Sequence, residues 1–169
     1  MSASLPASIV LVGARCSGKT TLGRELAGRL KRPFFDADEL LAERVGKPAE
    51  IFLARAGEAA FRREENRVLA ELVGCRGAVI ASGGGAVERP AFAELAAAAR
   101  VIWLRAEATT LLARQRAAPR TRLLSGALAE EIASLSQRRD PLYEAFAELT
   151  VPVEGANPIL DVLRQLSEG

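Results

Sequence analysis

The 169-residue chain contains no histidine, and only one methionine, one tryptophan and one tyrosine. Without histidine it lacks both the commonest metal ligand and the commonest general base of enzymes. Any catalytic base is therefore expected to be a carboxylate, unless the chain uses no base at all. Only two cysteines are present, Cys16 and Cys75. Their number and spacing exclude a disulfide framework and a cysteine-based zinc site.

Long apolar runs are also missing, although 49% of the residues are hydrophobic. The longest, 8–12 and 96–104, stop well short of the roughly 20 residues that span a bilayer. Residues 1–7 lack the basic start of a secretory signal peptide. We therefore expect a single domain over residues 1–169, no membrane contact and a cytoplasmic location.

Lysine is scarce, since 20 of the 23 basic residues are arginines and the net charge is only +2. The basic residues form no run, and the few aromatic residues are not interleaved with them. The sequence thus gives no sign of a nucleic-acid partner. We expect a monomer that acts on small molecules.

Short β-rich segments alternate with longer amphipathic ones along the chain. The predicted strands are 8–12, 33–36, 78–81, 100–104 and 149–153; the predicted helices are 19–30, 39–45, 58–72, 90–98, 109–117, 128–147 and 158–166. This order predicts a three-layer α/β fold, an open parallel sheet with helices on both faces, whose ligands bind beyond the carboxyl ends of the strands. Two segments depart from the alternation: a helical insert at about 37–73, and a Pro- and Gly-bounded stretch at about 117–126 that we interpret as a lid.

A phosphate-binding motif follows the first predicted strand. Residues 13–20, with the sequence GARCSGKT, match the pattern G-x-x-x-x-G-K-[ST] and open the first predicted helix. In such a loop backbone N–H groups and the helix N-terminus hold phosphate oxygens, Lys19 reaches the terminal phosphates, and Thr20 offers its hydroxyl to Mg²⁺. The motif predicts an ATP site of the P-loop NTPase class formed by Gly13, Ala14, Arg15, Cys16, Ser17, Gly18, Lys19, Thr20 and Thr21.

An acidic pair closes the second predicted strand. Asp36 and Asp38 are two of only four aspartates in the chain. Phosphoryl transfer uses one carboxylate near Mg²⁺ and another that orients the attacking hydroxyl, and an Asp-x-Asp pair can divide these roles. The alternative is structural, because Asp38 would also be a good N-cap for a helix that begins at Glu39.

Glycines and arginines complete the candidate site. Residues 82–85, SGGG, follow the third predicted strand and allow a ligand close to the backbone. Arg62 and Arg139 lie on predicted helices beside the cleft and are suited to clamp a carboxylate. The alternative is a solvated helix face. In each of the pairs 62–63 and 138–139, at least one arginine is expected to be structural because neighbouring side chains on a helix diverge.

Together these motifs resemble the shikimate kinase family across nearly the whole chain. The segments that carry the resemblance are GARCSGKTTLGRELA, FFDADE, IFLARAGEAAFRREE, SGGGAV and RRDPLY, in that order. The resemblance implies a nucleoside-monophosphate-kinase-like fold and an enzyme that transfers a phosphoryl group from ATP to the 3-hydroxyl of shikimate, in aromatic amino-acid biosynthesis.

The resemblance also implies roles for individual residues. It assigns Asp38, Arg62, Gly84, Gly85 and Arg139 to shikimate, with Asp38 on the reacting hydroxyl, and Asp36 to the Mg²⁺ shell. Arg114 and Asn157 fall to the adenine side of the ATP site. In the lid the family usually carries Arg-Pro, whereas this chain has Arg120-Thr121-Arg122. Arg120 is expected to reach the transferred phosphoryl group, with Arg122 as the alternative.

Two other functions remain open from the sequence. One is a different small-molecule kinase on the same fold, such as a gluconate kinase. The other is a kinase-like module that senses ATP or a pathway ligand without turnover. The choice of acceptor separates the first from shikimate phosphorylation, and the production of ADP separates the second.

Overall fold

A computed structural model describes residues 7–118 and 126–168. Within these residues the strands are Ser8–Val12 (β1), Phe34–Asp36 (β2), Val79–Ala81 (β3), Ala99–Arg105 (β4) and Leu149–Pro152 (β5). The α-helices are Lys19–Leu30 (α1), Ala37–Val45 (α2), Ala49–Ala56 (α3), Glu58–Leu72 (α4), Pro90–Ala97 (α5), Ala108–Ala117 (α6), Leu128–Phe146 (α7) and Pro158–Glu168 (α8). A 3-10 turn, Ala86–Glu88, follows β3.

The strands form one sheet in the order β2-β3-β1-β4-β5, and every neighbouring pair is parallel. β1 is therefore central, with β3 on one side and β4 on the other. Because the strands are parallel, the loops that follow β1, β2 and β3 emerge at the same edge of the sheet. The phosphate loop (residues 13–20), the acidic pair (Asp36 and Asp38) and the glycine triplet (residues 83–85) thus meet in space.

Alternating side chains of the strands build a core on each face of the sheet. Along β1, Val10 and Val12 face the layer of α2, α4, α5 and α7, whereas Ile9 and Leu11 face α1 and α8. All five residues of β1 are buried. Burial on both faces explains why the four residues 9–12 of this strand form a continuous apolar run.

The predicted open parallel sheet with helices on both faces is confirmed. Most predicted elements agree with the structure to within two residues at each end. The start of α2 differs from the prediction because Asp36, not Asp38, caps the helix, which therefore begins at Ala37 rather than Glu39. The insert contains a separate helix, α3, between Pro48 and Gly57.

No helix in the two described ranges is long and apolar enough to cross a membrane. The proposed lid arginine, Arg120, and its alternative, Arg122, lie outside the described residues. The single-domain organisation stays a prediction.

Candidate active site

The phosphate loop is held by glycines and by left-handed backbone. Gly13 has φ of 144°, and a Cβ there would lie 2.6 Å from the carbonyl oxygen of Leu104 on β4, so only glycine fits. Gly18 and Cys16 are also left-handed, with φ of 98° and 64°. Positive φ angles at these positions turn neighbouring N–H groups toward one concavity, which can bind an anion.

Charged and hydroxyl groups surround this concavity. The Lys19 ammonium, largely buried, donates to the carbonyl oxygens of Gly13 at 2.8 Å and Ala14 at 2.7 Å. The Thr20 hydroxyl donates to Asp36 Oδ2 at 2.7 Å. The structure therefore brings the end of β2 to the phosphate loop, as the Asp-x-Asp interpretation requires.

The two aspartates occupy different positions. Asp36 is buried, and its Oδ1 accepts the N–H groups of Asp38 at 2.9 Å and Glu39 at 3.3 Å. The alternative in which Asp38 caps the helix is thus wrong, because Asp36 already satisfies those donors. Asp38 is left exposed in the first turn of α2, where it lines the cleft.

The far side of the phosphate loop holds the remaining residues assigned to the nucleotide. Arg114, at the end of α6, donates to the carbonyl oxygen of Cys16 at 3.0 Å. Asn157 caps α8 by accepting the N–H of Leu160 at 3.2 Å, and it lines the same cleft together with Thr21. The structure therefore groups these residues on one side of the loop.

The glycine triplet, residues 83–85, is in contact with the acidic and basic groups of the site. A Cβ on Gly83 would lie 3.1 Å from oxygens of both Asp38 and Glu65. A Cβ on Gly85 would lie 2.8 Å from Arg62 Nη1 and 3.0 Å from Arg139 Nη2. The side chains named by sequence reasoning thus converge on the triplet, and the missing Cβ atoms leave the space between them.

Behind the triplet lies an arginine cluster, which we define as Arg62, Arg89, Arg138 and Arg139 together with Glu65 and Glu88. Glu65 pairs with Arg62 at 3.0 Å and with Arg89 at 3.5 Å. Glu88 pairs with Arg138 at 2.7 Å and with Arg139 at 2.9 Å. Arg62 also pairs with Glu58 at 3.4 Å, so four guanidinium groups face three carboxylates, and the excess positive charge beside the cleft favours an anionic ligand.

Arg139 is the most deeply placed member of the cluster, with only 3% of its surface exposed. Its Nε donates to Glu88 Oε2 at 3.0 Å. Its Nη2 lies near the same oxygen but is not aligned for a hydrogen bond with any described residue. A buried donor without an acceptor is costly, so this atom is suited to a ligand oxygen.

The pKa values of the two carboxylates of the cluster are shifted in opposite directions. Burial raises the pKa of Glu65 more than the ion pairs with Arg62 and Arg89 lower it, and the nearby Asp38 raises it further. Burial also acts to raise the pKa of Glu88, but the charges of Arg139, Arg138 and Arg89 outweigh it and hold that pKa below its usual range. Glu88 therefore stays ionised and keeps Arg139 in place near neutral pH.

One cleft of about 1130 Å³ joins the two halves of the site. Its lining runs from Asn157 past the phosphate loop to Arg62, Arg139 and the glycine triplet. This volume slightly exceeds the roughly 300–1,000 Å³ that is usual for one small-molecule pocket. The arrangement can accommodate a nucleotide and a second, anionic ligand side by side.

Sequence reasoning missed several residues that support the site. Glu65 lies one turn after Arg62 on α4, and Tyr143 lies one turn after Arg139 on α7. Spacings of three and four residues place side chains on one helix face, so this periodicity was a usable signal. Glu88 ends the 3-10 turn and Arg89 directly follows it, and no helical or strand periodicity indicates either residue.

Known proteins with similar sequences and structures were compared with the chain. A family model described as shikimate kinase matches residues 15–168. A shikimate kinase of Moorella thermoacetica is 39% identical over 165 residues, which cover 97% of this chain and 94% of that protein.

Two solved structures resemble the fold to different degrees. The shikimate kinase of Acinetobacter baumannii, solved in complex with shikimate, has a TM-score of 0.86 and 31% identity, covering 96% of this chain and 92% of the other. A gluconokinase of Sinorhizobium meliloti has a TM-score of 0.64 at 20% identity, covering 95% and 89%. The second likeness is one of fold alone.

Proposed function

The chain belongs to the shikimate kinase family, and from this premise we propose that it transfers the γ-phosphoryl group of ATP to the 3-hydroxyl of shikimate. The observation that carries the proposal is the convergence of Asp38, Arg62 and Arg139 on the glycine triplet, beside the phosphate loop. A hydroxyl acceptor with a carboxylate matches this set of groups, because the arginines suit the carboxylate and the aspartate suits the hydroxyl.

The acceptor is held by charge and by shape. In the proposed pose the shikimate carboxylate lies against Arg62 and Arg139, whose guanidinium nitrogens approach Gly85. The ring then lies over the glycine triplet, with the reacting hydroxyl toward Asp38. Asp38 accepts a hydrogen bond from that hydroxyl and directs its oxygen at the phosphorus atom.

The transfer itself is an in-line displacement. The hydroxyl oxygen forms a bond to the γ-phosphorus, the bond from that phosphorus to the bridging oxygen of ADP breaks, and the hydroxyl proton passes to Asp38. Lys19, at the phosphate loop, stabilises the negative charge on the terminal phosphates. Arg120 is proposed to add a further positive charge from the lid.

A magnesium ion fits the oxygen groups near the phosphate loop. The Thr20 hydroxyl and Asp36 carboxylate lie 2.7 Å apart, and both are hard oxygen ligands. No group of three or more acidic, cysteine or histidine side chains that could enclose a metal occurs in the described ranges, which suits an ion bound mainly to phosphate and water. When bound, Mg²⁺ would neutralise charge on the phosphates; Thr20 would contact it and Asp36 would act through its water shell.

The decisive experiment measures ADP release by the purified chain from Mg-ATP, with shikimate, quinate or gluconate as the acceptor. We expect turnover that depends on shikimate and is much weaker with the other two. Turnover with gluconate alone would assign the chain to a different acceptor. Tight binding of ATP and shikimate without ADP would support the sensing module instead. The cytoplasmic location and the monomeric state also remain predictions.

A further inference from the structure

The glycine triplet offers two backbone donors to the cleft. The N–H groups of Gly84 and Gly85 donate to none of the residues that the structure describes, and both glycines line the cleft. Glycine has no Cβ and adopts many backbone conformations, so a peptide between two glycines rotates easily. The Ala86 N–H closes a turn around this peptide by donating to the Gly83 carbonyl oxygen at 3.1 Å, and a contact that holds the Gly84 carbonyl fixes the peptide further.

Tyr143 supplies such a contact. Its hydroxyl donates to the carbonyl oxygen of Gly84 at 2.5 Å. The side chain is only 1% exposed, and its ring lies against Trp103 of β4 with centroids 5.8 Å apart. Since the core fixes the ring, it also fixes the position of the hydroxyl.

The Tyr143 hydroxyl is a donor at every working pH. Burial raises its pKa above the ordinary value for tyrosine, and the neighbouring Arg139 offsets only part of that rise. The phenol therefore stays protonated. Tyr143 and Arg139 are four residues apart on α7, so one helix face delivers both the guanidinium and the hydroxyl to the triplet.

We propose that Tyr143 is a positioning residue for acceptor binding, whose hydroxyl anchors the Gly84 carbonyl and thereby aims the Gly85 N–H at the acceptor. All described peptides are trans. In a trans peptide the C=O and the next N–H point in opposite directions. With the Gly84 carbonyl turned toward the Tyr143 hydroxyl, the N–H of Gly85 points away from that hydroxyl. The inference rests on the proposed function, since shikimate is the ligand concerned.

The test is Tyr143→Phe, which removes the hydroxyl and keeps the ring. Loss of the anchor should raise the KM for shikimate about 10-fold, because one hydrogen bond to a charged group is no longer aligned. The kcat and the KM for ATP should stay within about 2-fold of their values in the unaltered chain. The variant loses acceptor binding equally in the ground state and in the transition state. In parallel, the ¹⁵N-labelled amide of Gly85 should shift on addition of shikimate in the unaltered chain and respond much less in the variant.

Phe146→Leu is the matched control. Phe146 lies on the same helix and contacts Phe92 at 5.0 Å, so its loss weakens core packing without touching the triplet. It should lower Tm and leave the KM for shikimate unchanged. An unchanged KM and an unchanged Gly85 response in Tyr143→Phe, beside shikimate-dependent turnover of the unaltered chain, would overturn the positioning role alone. Absence of shikimate-dependent turnover in the unaltered chain would instead overturn the proposed function.

Discussion

The phosphate loop and the glycine triplet follow the neighbouring strands β1 and β3, yet they obtain their binding groups in different ways. The phosphate loop is one contiguous segment, and its geometry depends on backbone at Gly13, Cys16 and Gly18. The triplet contributes backbone N–H groups and the space left by its missing Cβ atoms. The side chains that surround it come from α2, α4 and α7, and those of Arg62 and Arg139 are held by ion pairs.

This difference has a consequence for substitutions. A site made of local backbone tolerates changes in distant side chains, because its conformation is set by the segment itself. A site made of side chains from several elements depends on each partner. Substitutions on the acceptor side should therefore separate acceptor binding from ATP binding, and the four that follow run from the largest expected effect to the smallest.

Asp38→Asn should have the largest effect. The amide cannot accept the proton of the attacking hydroxyl, so kcat should fall about 100-fold to 10,000-fold. ATP affinity should change little, because Asp38 lies on the acceptor side of the cleft while Asp36 contacts Thr20. Steady-state kinetics and nucleotide titration measure the two quantities separately.

Asp161→Asn serves as the control for this change. Asp161 lies on α8, where it pairs with Arg164 at 3.6 Å, and it does not line the cleft. Its kinetics should match those of the unaltered chain. Near-native turnover in Asp38→Asn would remove Asp38 from the chemistry and leave it a role in binding only.

Arg139→Ala should have the second-largest effect, and this effect should be on acceptor binding. Removing a buried, paired guanidinium costs about 3 kcal/mol, or roughly 100-fold in the KM for shikimate, with little change in the KM for ATP. Arg138→Ala is a close control, since Arg138 pairs with the same Glu88 but is 53% exposed. It should change the KM for shikimate less than about 2-fold. Equal effects of the two substitutions would show that charge near Glu88 matters and that the position of Arg139 does not.

Gly85→Ala should raise the KM for shikimate about 10-fold, because a misplaced binding group loses much of its contribution. The added methyl would lie 2.8 Å from Arg62 Nη1 and 3.0 Å from Arg139 Nη2, so both guanidinium groups must move. Gly28→Ala is the control. No atom of another element lies within 4 Å of a Cβ there, and alanine should stabilise the last turn of α1 by about 0.5–1 kcal/mol. A Gly85→Ala variant with unchanged KM would place the acceptor away from the triplet.

The same contrast explains what the sequence could predict. The phosphate loop was predicted residue by residue, since its pattern is local and its glycines are required by the turn. Arg62 and Arg139 were found through motifs that carry a family resemblance. Glu65 and Tyr143 were not, although they hold those arginines and the triplet in place.

Such supporting residues are hard to predict for a physical reason. Whether a carboxylate on a helix is buried depends on what packs against it, and that depends on the order of strands in the sheet. Helical spacing places Glu65 on the buried face of α4 and Glu64 off it, but it does not show that the Glu65 carboxylate meets Arg89 from beyond the 3-10 turn. The alternative that makes Asp38 the N-cap is wrong for a simpler reason, since either aspartate satisfies the sequence preference and only the end of β2 decides between them.

Glu50→Gln should have the smallest effect and tests where the boundary between the two regions lies. Arg15 of the phosphate loop pairs at 3.1 Å with Glu50 in the first turn of α3, within the acceptor-side insert. Glu50 is 45% exposed, so the pair is worth about 0.5 kcal/mol. Without this carboxylate the Arg15 guanidinium is more strongly attracted to phosphate, and the KM for ATP should fall about 2-fold.

Glu148→Gln breaks a comparable pair with Arg100, at 2.7 Å and away from the cleft, and should alter neither KM. Whether the Arg15–Glu50 pair belongs to the ATP side or to the acceptor side is then decided by which KM changes in Glu50→Gln, that for ATP or that for shikimate. A fall in the KM for ATP alone places the pair with the phosphate loop and keeps the two regions independent. A rise in the KM for shikimate would contradict this, because α3 would then act on the acceptor through its contact with the phosphate loop, and the two sides would be coupled.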